Sequence, residues 1–138
     1  MAGITRFEEI EAWKTARQLT TIVYKISDIG MFAKDYGLKD QIRRASVSTM
    51  SNIAEGFESR TDMQFINYLG HAKGSSGEVR SQLYVALDLN YISQEQFAEA
   101  YEFADKASRQ IKRFIDYLES HSRNRRLSED ASDYNTDV

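Results

Sequence analysis

The chain has 138 residues, enough for one domain and too few for two comfortable cores. Its 41% hydrophobic and 28% charged residues are an ordinary globular mixture. With 21 acidic residues against 18 basic it is no polycation that simply coats nucleic acid or an anionic membrane. Zero cysteines exclude a disulfide framework, a thiol nucleophile and a thiolate metal site, and His71 and His121 offer little for another kind of metal site. No apolar run approaches the roughly 18 residues of a membrane span, and no charged-then-apolar leader opens the chain. A cytoplasmic protein is therefore expected. There are no prolines where about 5% is usual, and only seven glycines, which points to long uninterrupted helices.

Four segments carry a helical apolar period. The first aligns Ala12, Ala16, Leu19, Val23 and Ile26, with Trp13, Thr20 and Tyr24 on a second stripe. It stops at Gly30, and residues 30–37 read as a loop closed by two glycines. The second aligns Leu38, Ile42, Ala45, Thr49, Ile53 and Phe57. The third, from about Asp62 to Leu89, aligns Phe65, Leu69, Ala72, Ser76, Val79, Leu83 and Ala86. The fourth carries Phe97, Tyr101, Ala104, Ser108, Ile111, Ile115 and Leu118. Thr61 with Gln64, and Ser93 with Gln96, are capping-box patterns that open the third and fourth helices. Short links between long helices favour antiparallel neighbours, so the expectation is all-α: an antiparallel up-down four-helix bundle over 1–121. Residues 122–138 have no apolar period and are expected to be a disordered C-terminal tail.

Neither histidine follows a glutamate by three residues, as a di-iron bundle requires, since Tyr68 and Leu118 stand there. Gly70, Gly74 and Gly77 lie inside a helix and not at the strand-to-helix turn of a phosphate loop. The serines have no nucleophile-elbow context. No catalytic residue, cofactor, metal or small-molecule substrate is expected, and no membrane partner.

Two faces are too specific for an idle helix surface. Gly70, Gly74, Gly77 and Ser81 form one stripe away from the core, and each mid-helix glycine costs about 0.5–1 kcal/mol relative to alanine. On the second helix Arg44, Ser48, Ser51 and Glu55 align opposite the apolar face, with Asn52 and Gln41 beside them. Small residues at this spacing suit close approach of another helix. Together with Trp13 and Tyr24 off the first helix's core stripe, they point to a homo-oligomer.

The fourth helix and its extension hold Lys106, Arg109, Lys112, Arg113, Arg123, Arg125 and Arg126 against Asp116 and Glu119. Lys106, Arg109 and Arg113 share a face, which reads as a contact for RNA or DNA phosphates. The same residues also complement the helix macrodipole, because Glu95, Glu99, Glu102 and Asp105 fill the opposite half.

One stretch is distinctive: Tyr36-Gly37-Leu38, Gln41-Ile42-Arg43-Arg44-Ala45, Val47-Ser48 and Ser51-Asn52-Ile53-Ala54-Glu55-Gly56. With Phe7, Ile10, Trp13 and Ala16 before it, and Phe65, Leu69, Ala72, Gly74-Ser75, Glu78 and Gln82-Leu83 after it, the chain resembles the proteins encoded in intervening sequences of bacterial 23S rRNA genes. The similarity covers roughly residues 7–120. It implies a four-helix bundle assembling as a ring, a pentamer, with no known enzymatic activity. It also implies a kinship in fold with accessory proteins of diversity-generating retroelements, and so nucleic-acid-linked work. Those accessory proteins are basic and this chain is acidic. Met50 stands where the family pattern commonly has a proline, so a kink there is not expected. The function expected is a non-catalytic oligomeric scaffold or adaptor for a protein or nucleoprotein partner; the alternative is direct RNA or DNA binding, weak, by the basic face.

Overall fold

The computed structural model describes the backbone of residues 3–136 and the side chains of residues 3–122. A 3-10 turn, Phe7–Glu9, leads into α1 (Glu11–Ile26), α2 (Gly30–Lys34), α3 (Tyr36–Phe57), α4 (Asp62–Asp88) and α5 (Gln94–Thr136). The four long helices run in alternating directions, with α3 packed on α4, α4 on α5, and α1 against both α3 and α5. α5 is one continuous helix, so its backbone extends into the stretch 122–138 that lacks an apolar period. Arg123, Arg125 and Arg126 lie outside the described side chains.

Each boundary has a local cause. Ser93 Oγ accepts from Gln96 N–H at 3.1 Å while Ser93 N–H donates to Gln96 Oε1 at 2.9 Å, a complete capping box for α5. At α4, Thr61 Oγ1 accepts from Gln64 N–H, and the Gln64 amide oxygen reaches one residue further back, to Arg60 N–H. α4 ends because Asn90 adopts φ 60°, letting Asn90 N–H reach Leu87 O and Tyr91 N–H reach Ala86 O. Residues 30–37 are not the expected loop. Gly30–Lys34 form a helical turn that buries Phe32, and Asp35 caps α3 by accepting from Leu38 N–H at 3.2 Å. Gly37 sits inside α3 and closes nothing. The flanking glycines hid a buried phenylalanine that turns this segment inward.

The core has two apolar clusters stacked along the bundle axis. One holds Leu19, Val23, Phe32, Ile42, Val79 and Leu83; the other holds Ile10, Ile53, Phe65, Leu69, Ile111 and Leu118. The register puts Ser46, Thr49, Ser76 and Ser108, all buried, between the two. Ser46, Thr49 and Ser76 donate their hydroxyls to carbonyls of their own helices at 2.8–2.9 Å, so these small polar side chains are buried without an unmade bond. Trp13 is not part of a spare face, contrary to expectation. Trp13 meets Phe7 edge-on at 5.2 Å and packs on the second cluster, where the 3-10 turn closes the bundle. Thr20 Oγ1 lies 2.9 Å from Ala16 O and 3.1 Å from Ser46 O on α3. Tyr24 alone of the three is exposed, with the Arg43 guanidinium over its ring at 4.4 Å. α3 runs unbroken through Met50.

Candidate interaction surfaces

Gly70 and Gly74 stand exposed on α4, and a Cβ at either would meet nothing within 4 Å. At Gly77 the nearest atom is Arg80 Nη2, 3.6 Å away. Ser81 continues this stripe and is exposed. None of the three glycines is required by packing inside the chain.

The polar residues of α3 meet those of α4 beside that stripe. Ser48 Oγ and Ser75 Oγ share a hydrogen bond at 2.9 Å, and Asn52 Nδ2 donates to Ser48 O and Ser48 Oγ. A shallow groove runs from this contact, lined by Gln41, Arg44, Ser48, Ser75, Glu78 and Gln82. Gln82 Oε1 is buried there with no hydrogen-bond partner. Arg44, Glu55 and Glu78 are exposed and Ser51 half-buried. Gln41, Arg44 and Ser48 of one resemblance stretch and Ser75, Glu78 and Gln82 of another thus converge on one groove, which spacing along each helix could not reveal. Ser48 and Asn52 are also engaged within the chain.

The basic face of α5 is divided by its neighbours. Arg109 is held along its own helix, where its Nε donates to Asp105 at 3.1 Å and its Nη2 to Glu102 at 2.9 Å; Asp105 also pairs with Arg80 of α4. Lys112 pairs with Asp116, which raises its pKa above the ordinary lysine value. Arg113 borders a small groove with Glu9 and Glu11. Lys106 borders a groove between α1 and α5 lined also by Lys14, Arg17, Gln18, Thr21, Ile22 and Phe103. Sequence reading missed Lys14 and Arg17, whose only signal was their place on the outer face of the first helix.

Among the described residues no cluster of histidine and carboxylate side chains is placed to hold a metal ion, and no helix is long and apolar enough to cross a membrane. The fold and these faces define a small antiparallel helical bundle with one polar groove between α3 and α4 and another between α1 and α5. The chain belongs to the 23S rRNA-intervening sequence protein family, whose model matches residues 8–113. A crystal structure of a protein of unknown function from the S23 ribosomal protein family of Bacteroides thetaiotaomicron VPI-5482 is similar in fold. Its TM-score is 0.69 at 20% identity, over 75% of this chain and 97% of that one. No curated protein sequence is significantly similar to the chain.

Proposed function

We propose that the protein is a non-catalytic scaffold or adaptor that assembles with copies of itself, in a ring as the family resemblance implies, through the α3/α4 face. The observation that carries this reading is the pairing of open space above Gly70 and Gly74 with the adjacent groove, where among the described residues Arg44 and Glu78 have no ion-pair partner. Mid-helix glycines with no use inside the chain lower helix stability, and a helix from a neighbouring copy could approach closely over them.

Light scattering at micromolar concentration should give several times 15.9 kDa. Gly74→Leu should shift that mass toward the monomer while leaving the helical signal in circular dichroism intact. Leu83→Ala, which opens a cavity in the core, should instead cost about 2–5 kcal/mol of folding stability. A wild-type monomer under these conditions would refute assembly and leave the glycine stripe without a role. Direct nucleic-acid binding by the α5 face as a whole is weakened, because Arg109 and Lys112 are held by carboxylates of their own helix.

A further inference from the structure

The groove between α1 and α5 differs in charge from the rest of the molecule. Its one lining carboxylate, Glu11, is engaged by Lys14 at 3.3 Å. Among the described residues Arg17 and Lys106 have no ion-pair partner, so both unpaired charges on the groove wall are positive in a chain that is acidic overall. Arg17 is also held in place, with its guanidinium carbon 5.7 Å from the centre of the Trp13 ring. Phe103, partly buried against the core, supplies an aromatic wall, and Gln18 and Thr21 add hydrogen-bonding groups along α1. From Lys14 to Thr21 the helix rises about 10 Å, room for a short run of an extended strand.

We propose that this α1/α5 groove binds single-stranded nucleic acid, with Arg17 and Lys106 on its phosphates and Phe103 as a surface on which a base stacks. Single-strand sites combine a positive groove with aromatic faces, because every base has a face to stack and every linkage a charge. Polyglutamate would use the cations but carries no aromatic ring for the Phe103 wall. The assignment departs from the residues that the fourth helix alone suggests. It adds Arg17, keeps Lys106, and removes Arg109, whose guanidinium already lies between Glu102 and Asp105.

The test is fluorescence anisotropy with a labelled oligouridylate of about 15 nucleotides, using the full chain. Two phosphate contacts should weaken binding by roughly seven-fold between about 50 and 200 mM salt. The double variant Arg17→Glu/Lys106→Glu should lose at least ten-fold in affinity, and Arg17→Gln/Lys106→Gln should lose most of it with less strain on folding. Arg109→Glu should bind within two-fold of wild type. Melting and light scattering of each variant read folding and assembly separately from binding. The proposal is overturned by absent binding at the lower salt, by an Arg109→Glu loss as large as that of the groove variants, or by polyglutamate displacing the probe as well as unlabelled RNA does.

Discussion

A Cβ added at Gly56 would stand 2.7 Å from Phe65 Cδ1 and 2.9 Å from Tyr68 Cβ, both on α4. The second of these atoms is fixed to the backbone and cannot swing aside. Gly56 is buried near the end of α3, where the chain turns into α4, so the two helices converge on a missing side chain. Gly74 is its opposite, with open space above it. Gly56→Ala is therefore expected to destabilise by about 1–3 kcal/mol through overpacking. Gly74→Ala should raise the stability of the isolated chain by about 0.5–1 kcal/mol through helix propensity alone. Urea denaturation of the two variants at one low protein concentration checks both signs. Equal effects would mean that close approach is not what Gly56 supplies.

At the scale of one helix, α3 raises the question of the proline that Met50 replaces. A proline at this position removes the N–H that would donate to Ser46 O, and inside a helix that change ordinarily costs about 3 kcal/mol or more. Here Ser46 O already has a second partner, Thr20 Oγ1 of α1 at 3.1 Å. The hydroxyl would keep the freed carbonyl satisfied. Met50→Pro should thus cost clearly less than the ordinary amount in the wild-type background, and the full amount when combined with Thr20→Val. Denaturation midpoints of the two single variants and the double variant measure that coupling. Additive effects would show that Thr20 does not prepare the site for a proline.

Across the whole molecule, one carboxylate ties together two junctions far apart in sequence. Asp35 caps α3 with Oδ1, and its Oδ2 accepts from the Tyr91 hydroxyl at 3.0 Å, in the connection between α4 and α5. The Tyr91 ring also packs against Phe32 at 5.6 Å, closing this end of the bundle. That hydrogen bond to Asp35, followed by desolvation and the nearby negative charge, holds the Tyr91 pKa above the ordinary tyrosine value of 10.0. A raised folded-state pKa means that the stabilisation is full below the unfolded value and is lost as pH rises through the folded one. Wild type should therefore melt above Tyr91→Phe at pH 8, and the gap should close under more alkaline conditions, beyond pH about 10. A gap that stays constant with pH would assign the tyrosine's contribution to ring packing alone.

The sequence by itself determined the class of fold, the four long helices, the capping box at Ser93 and the Thr61 cap, because period, capping residues and the lack of proline are local properties that survive without a partner. It also made the family legible in the run from Tyr36 to Gly56. It misread residues 30–37, where the glycine pair outweighed a phenylalanine whose burial depends on Tyr91, more than fifty residues away. It treated Trp13 as spare, since only the folded 3-10 turn brings Phe7 against its ring and closes it onto the core. The basic face of α5 shows the same division. Spacing placed Lys106 and Arg109 together on one helix, and Arg109 pairs there with Asp105 and Glu102 of the same helix, a local contact. Only the packing of α1 on α5 puts Lys106 in one groove with Lys14 and Arg17. Pairing along one helix is written in its sequence; which cations of two helices share a groove is decided by how those helices pack.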